Sequence, residues 1–210
     1  NRSQNETSRH NIALYLDGEL NLTEDFLLTA AVRYEDFSDF GDTTKGKIAA
    51  RWQLTESFAL RGAYSTGFKA PTIGQTTVRN VTTAFGTDGK LIDRATLPPT
   101  DPIAVQKGAT PLEPEESTSI SAGFVAEFDN GLFVTADYYN IEVTDRISTT
   151  SGIALTAEDI ATLLANGVSD ASSFTEVSYF TNDFDTTTEG VDLVANYGMK
   201  MLVGDSKFAL

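Results

Sequence analysis

Three features predict an all-β chain arranged as an antiparallel up-and-down meander of about seven or eight long strands. Apolar residues recur at every second position over segments of about ten residues. The connections between those segments alternate in length, short then long. All six prolines fall inside one connection, residues 69 to 116, so none interrupts a strand.

The first segment, NIALYLDGEL at 11 to 20, sets Ile12, Leu14, Leu16 and Leu20 on one face and Tyr15, Asp17 and Glu19 on the other. A short polar reversal, NLTED, leads to FLLTAAVRYE, where Phe26, Leu28, Ala30, Val32 and Tyr34 oppose Thr29, Arg33 and Glu35. DFSDFGDTTK then predicts a longer, acidic loop over residues 36 to 46. GKIAARWQL sets Ile48, Ala50, Trp52 and Leu54 against Lys47, Arg51 and Gln53, and after the reversal TES, FALRGAYSTGF sets Phe58, Leu60, Tyr64 and Phe68 against Arg61 and Ser65. Residues 69 to 116 show no clear periodicity.

STSISAGFVAEF resumes the alternation with Ile120, Ala122, Phe124, Ala126 and Phe128, and Asp129-Asn130-Gly131 turns it. The sixth strand, LFVTADYYNIEVTDRI, opposes Leu132, Val134, Ala136 and Tyr138 to Thr135 and Asp137; its parity fails at Ile141 and Val143, which predicts a bulge or a rise above the apolar zone. A second long connection, 148 to 188, holds the one helical signal, TAEDIATLLANG. Thr156 is its N-cap, Asp159 completes a weak capping box, Ile160, Leu163 and Leu164 form a stripe, and Gly167 is a stop. EGVDLVANYGM follows as a seventh strand, with Val191, Leu193, Ala195 and Tyr197 against Asp192 and Asn196, and an eighth begins near Phe208. The ending SKFAL reads as a strand cut off soon after its start, so residues 1 to 210 are expected to be one partial domain of a longer chain.

A soluble sandwich and a membrane barrel both alternate, so length must separate them. Ten residues at about 3.3 Å each, tilted near 45°, rise roughly 23 Å, close to the apolar band of an outer-membrane barrel, whereas sandwich strands more often run about five or six residues. Phe26, Phe58 and Phe128 lie near the short-turn ends of their strands, and Tyr34, Tyr64, Phe68, Tyr138 and Tyr197 near the long-loop ends. Two girdles of rings are what anchoring at both interfaces produces. The opposite face carries charges of both signs, as a hydrated lumen would. The alternative is a soluble β-sandwich binding module, for glycans for example, whose apolar face is sealed against its own second layer.

Acids outnumber bases, 30 to 15, for a net charge of −15, which argues against a nucleic-acid partner. Without cysteine, and with His10 the single histidine, thiolate and imidazole metal sites are excluded. The longest apolar run, Ile12 to Leu16, is far short of the roughly 20 residues of a spanning helix, and the opening NRSQNETSRHN lacks the features of a signal peptide.

From AVRYE through the Arg51-Trp52 strand and the Leu-Arg-x-x-Tyr strand to Gly67-Phe68-Lys69-Ala70-Pro71, the sequence resembles the barrel of a TonB-dependent outer-membrane receptor. The motif residues are Arg33, Tyr34, Arg51, Trp52, Arg61, Gly67, Phe68, Lys69, Ala70 and Pro71. PLEPEESTSISAGF adds Leu112, Pro114 and Glu115, and DYYNIEVTDRI and TTTEGVDLVANY resemble further family strands. Lys69 stands where the family commonly has arginine and Glu113 where lysine is common. The resemblance covers about residues 11 to 205. It implies a bacterial outer-membrane location, contact with lipid, a plug domain and TonB as partners lying outside these residues, and import of a small-molecule nutrient such as an iron–siderophore or other metal chelate. It also implies that Phe68 sits at the outer interface and that Ala70-Pro71 ends ladder pairing where lipid ends.

Residues 148 to 190 contain no Lys or Arg but include Glu158, Asp159, Asp170, Glu176, Asp183, Asp185 and Glu189. These acids fit either a vestibule attracting a cationic or metal-bearing ligand or a solvated extracellular loop. Asp36, Asp39 and Asp42 carry the oxygen donors calcium takes, without EF-hand spacing. Trp52 is read as an apolar-face anchor and His10 as a loop residue. No triad-like context and no phosphate-cradling glycine motif occurs, so neither catalytic residues nor a cofactor are expected.

Overall fold

The computed structural model describes residues 8–85, 89, 91–201 and 204–209. Its strands are β1 (Asn11–Asn21), β2 (Phe26–Phe37), β3 (Gly41–Thr55), β4 (Phe58–Lys69), β5 (Asn80–Phe85), β6 (Leu91–Thr96), β7 (Glu115–Glu127), β8 (Leu132–Thr149), β9 (Ile153–Ala154), β10 (Glu176–Ser178), β11 (Phe180–Met201) and β12 (Gly204–Ala209). Helices α1 (Ile73–Thr77), α2 (Pro102–Gln106) and α3 (Ala157–Ala165) and a 3-10 turn at Ala171–Ser173 lie in the connections. β1-β2-β3-β4-β7-β8-β11-β12 form one eight-stranded sheet in that order, and β5-β6-β10-β9 form a smaller one. The meander is therefore present with eight strands. NRSQNET at the start and Leu210 at the end of SKFAL lie outside the described residues.

The chain divides into two compact units. A wall unit comprises Asn11–Phe68, Glu116–Val143 and the chain from Thr186 onward; a loop unit comprises Lys69–Glu115 and Thr144–Asp185 with the described residues before Asn11.

In the wall unit the period-two pattern survives into three dimensions. Leu16 pairs with Val32, Gly18 with Ala30 and Leu20 with Leu28; on the next ladder Ala30 pairs with Ile48 and Phe26 with Trp52, and on the one after Ile48 pairs with Tyr64 and Trp52 with Leu60. Side chains opposite one another share a face, so every predicted apolar residue of β1 to β4 within this register falls on one surface. That surface is open even on strands with a neighbour on each side: Val32 is 46 % exposed, Ile48 49 % and Trp52 50 %. A sandwich would have buried these residues against a second layer. Of the predicted girdle rings, Tyr34, Tyr64, Phe128, Tyr138 and Tyr197 are exposed, as is Trp52, whereas Phe26, Phe58 and Phe68 are half-buried.

The buried core belongs to the loop unit. Ala95, Leu97, Ile103, Ala104, Ala109, Leu163, Ala171, Phe174, Val177 and Tyr179 pack together, with Ile153, Leu155 and Val168 against them. This cluster forms because β6 runs parallel to β10, joining residues about 80 positions apart, and β9 closes the other side of β10. At the start of α3 the predicted capping box is complete, Thr156 accepting from the Asp159 amide and Asp159 from the Thr156 amide, and Gly167 has φ +85°. Leu163 is buried, but Leu164 is exposed, because neighbours on a helix point about 100° apart and only one can face the cluster.

Four expectations are corrected. Residues 36 to 46 are not a long loop: β2 and β3 pair out to Phe37 and Gly41, where Gly41 at φ +93° makes the reversal and Phe37 stacks on Phe40 at 4.4 Å. The connection 69 to 116 is organised, holding α1, β5, β6 and α2, so α3 is not the one helix in a loop. The second connection is shorter than 148 to 188, since β8 continues to Thr149 and β11 starts at Phe180; strand pairing there needs no apolar face. The eighth strand begins at Gly204 and sets Phe208 opposite Tyr197. The irregularity expected near Ile141 and Val143 is found at Asp145, whose φ is 54°.

If the open face meets hydrocarbon, placing arginine at Val32, midway along β2, should cost about 2–4 kcal/mol of folding stability in lipid vesicles. Denaturant titration of the complete receptor checks this, and the same substitution at Ala31, on the wet face, is expected to cost much less.

Candidate functional site

The wet face of the wall unit carries ion pairs both across and along its strands. Arg61 on β4 reaches over β7 to Asp137 on β8, its Nε donating to Oδ1 at 2.7 Å and its Nη2 to Oδ2. The intervening residue is Gly123: a Cβ there would lie 2.2 Å from Asp137 Oδ1 and 2.5 Å from the Ala136 carbonyl oxygen. Glycine is thus required for the guanidinium and carboxylate to meet above the middle strand. Lys45 Nζ donates to Glu116 Oε1 at 2.7 Å, and Arg33 to the buried Glu35, which also accepts from Asn11 Nδ2 at 3.3 Å. Around Tyr15, Asp17, Arg33, Lys45, Lys47 and Ser65 the face opens into a groove of about 630 Å³.

The two halves of the predicted motif meet in the loop unit. Lys69 donates to the buried Glu115 at 2.9 Å, and the Ile147 amide donates to the same oxygen at 3.2 Å. Pro71 is fully buried, while Ala70, Leu112 and Pro114 are half-buried. Beside them the Asn182 side chain accepts from the Glu113 amide at 2.9 Å and donates to the carbonyls of Glu113 at 2.9 Å and Asp145 at 2.6 Å.

Other motif residues stay in the wall. Tyr34 and Trp52 are exposed on the dry face. Gly67 lets β4 approach β7, because a Cβ would lie 2.7 Å from Ser117 Oγ. Phe68 turns from the apolar face on which its parity predicted it to the groove lined by Asp17, Arg33 and Lys45. It is half-buried, its ring edge-on to Phe37 at 5.7 Å, and Phe37 shares parity with Arg33 and Glu35. The β3–β4 register stops at Lys47 opposite Ser65, and Thr66 Oγ1 takes the Gly46 amide at 3.1 Å, so the alternation does not carry through to Phe68.

The loop acids are drawn into the loop unit itself. Arg79 donates to Asp101 and Asp170, at 2.5 Å each, and its guanidinium lies over the Phe174 ring. Arg94 pairs with Glu176 at 2.8 Å and Lys107 with Asp159 at 3.0 Å. Asp183 accepts from Ser148 Oγ at 2.8 Å and Asp185 from the Asp145 amide at 3.0 Å, whereas Glu158 is exposed in the first turn of α3. Three cations of the first connection thus supply the counter-charges that the second lacks. Among the described residues no group of three His, Cys, Asp or Glu gathers as a metal ligand set, and Asp36 and Asp42 are cross-strand partners.

Sequence reasoning had Arg61 and Asp137 on one face without joining them. It missed Arg79, Asn182 and Tyr179, whose hydroxyl donates to the Lys107 carbonyl at 2.8 Å. One signal was available: a base-free acidic segment and a second connection carrying Arg79, Arg94 and Lys107 are electrostatic complements.

One dry and open face, one ion-paired wet face and an ordered loop unit define the wall of a transmembrane β-barrel. Residues 1–209 match the family model described as TonB dependent receptor-like, beta-barrel, and the chain belongs to that family of the outer membrane. Solved structures share the fold. The siderophore receptor PirA from Pseudomonas aeruginosa is 18 % identical with a TM-score of 0.65, over 96 % of this chain and 34 % of that one. A mutant of the ferric enterobactin receptor PfeA from Pseudomonas aeruginosa, in complex with enterobactin, is 16 % identical with a TM-score of 0.67, over 96 % and 27 %. The copper transporter OprC is 16 % identical with a TM-score of 0.55, over 90 % and 26 %. The chain therefore spans about a third or less of the length of these proteins.

Two outcomes are expected. Gly123→Ala should destabilise the complete barrel by about 1–3 kcal/mol through overpacking, and by less in an Arg61→Gln background, measured as a double-mutant cycle by urea unfolding. The Asp159 carboxyl is held well below its usual range by the Thr156 amide and hydroxyl and by Lys107. A carboxyl lowered on folding stabilises above its unfolded pKa, about 3.9, and that contribution is lost as pH falls through the folded value. Amide-exchange protection of α3 should therefore hold down to about pH 4 and decline below it, while Asp159→Asn shows weaker protection without that decline.

Proposed function

We propose that this chain forms part of the barrel of a TonB-dependent transporter that imports a scarce nutrient, with an iron–siderophore complex as the leading cargo. The carrying observation is the division of labour between units: an apolar face left open on a sheet whose other face is polar, and a separately cored loop unit. A passive anchor would need only the first. The loop unit offers a rigid, charged surface for ligand engagement, and the wet face a hydrated path. Lipid contacts the dry face; a plug domain and TonB are the partners such transport requires.

Cargo is inferred from the named ligands of proteins sharing the fold, two of them siderophore receptors and one a copper transporter. Within this reading, Lys69, Glu115, Pro71, Leu112 and Pro114 brace the loop base. Asp159, Asp170, Glu176, Asp183 and Asp185 fix the shape of the loop unit, and Glu158 joins the exposed Asp170, Asp183 and Asp185 in facing solvent.

The test uses cells whose sole metal-chelate receptor is the complete protein. Labelled ferric siderophores should enter, and entry should cease when TonB is deleted. Deleting Asn80–Thr96, the hairpin of the smaller sheet, should reduce entry to that of receptor-free cells while barrel heat stability is retained. Uptake of a copper complex in place of any iron chelate would overturn the cargo and keep the transport reading.

A further inference from the structure

Arg51 of β3 and Arg61 of β4 are direct cross-strand partners on the wet face. That position favours opposite charges and penalises like ones. Arg61 is compensated by Asp137, but the partner of Arg51 is a neutral amide, Gln53 Oε1 at 2.6 Å. No salt bridge joins Arg51 to a carboxylate among the described residues: Asp25, beside Gln53 and just before β2, is the nearest in register, and Glu19 lies two strands away on β1. Both arginines and Asp137 border a hollow of about 240 Å³ floored by the small residues Ala49, Ala63, Ser121 and Gly123, so its rim carries two positive charges against one negative. Two guanidiniums with one carboxylate beside them leave a surplus positive charge at Arg51 that a negative group would balance.

The geometry points to an oxyanion subsite at Arg51, with Arg61 beside it, that takes a single carboxylate or phosphate group. Arg51 is exposed and carries a planar fork suited to either by paired hydrogen bonds. The hollow admits one such group and not a bulky chelate, so the subsite is distinct from cargo recognition. Its occupant has two possible sources of the same chemistry, a free anion in the lumen or an acidic side chain of a segment seated there.

Thermal unfolding of the complete receptor in detergent, in sodium phosphate and in sodium chloride at matched ionic strength, tests the subsite in wild type and Arg51→Gln. With a free anion, phosphate raises the midpoint of the wild type and R51Q abolishes the rise. With an internal acid, phosphate has no effect on the wild type and R51Q lowers the midpoint in both salts. A midpoint for R51Q that is unchanged or raised, with an unaltered phosphate response, overturns the inference, since relief of like-charge repulsion alone would give that result. Should R51Q not fold, Arg51→Lys keeps the charge and loses the fork. A lowered phosphate affinity or midpoint in R51K supports the subsite, and both unchanged overturn it.

Discussion

Hydrocarbon offers no hydrogen-bond partner, so a chain that crosses it must pair its own backbone amides and carbonyls along every ladder. In the wall unit that requirement sets the rest. Pairing from Asn11 opposite Phe37 to Asn21 opposite Leu27 fixes the parity of β1 and β2, and the next ladders carry the same parity to β3 and β4. Once parity is fixed, Leu16, Val32 and Ile48 must share one side, and Arg33, Lys47 and Arg61 the other. The ion pair over Gly123 is possible only because three strands present their residues in one row.

The loop unit obeys the opposite rule. Its backbone is irregular, and it is ordered by a water-excluding cluster around Leu97, Ile103 and Val177 together with cross-linking charges. The chain thus uses hydrophobic burial where water is the solvent and hydrogen-bond closure where it is not. That is why large apolar side chains of the wall such as Val32, Ile48 and Trp52 stay exposed while small alanines of the loop unit, Ala95, Ala104 and Ala171, are covered.

Strands with a clean period of two were legible, as were their turns at Asp129-Asn130-Gly131 and the Thr156–Asp159 capping box, because each depends on neighbours in sequence. Some of what went unread was local too: Thr72 with Gln75 caps α1, Asp101-Pro102 opens α2, and Asp-Gly lies between NVTTAF and LIDRAT, the paired strands of a hairpin. These are short elements whose signals do not repeat, so periodicity overlooks them. The parallel pairing of β6 with β10 had no local sign at all, since it rests on residues about 80 positions apart that meet through burial. Of the site, the face of each charged residue was legible and its partner was not: Lys69 with Glu115 and Arg61 with Asp137 are set by sheet order, which alternation leaves open.

Arg79, Arg94 and Lys107 on one connection answer Asp170, Glu176 and Asp159 on the other. The two connections are therefore electrostatically matched. A reversal of sign on one would set like charges against each other, and a transplant of either segment into a sister receptor would carry charges away from the partners they have here.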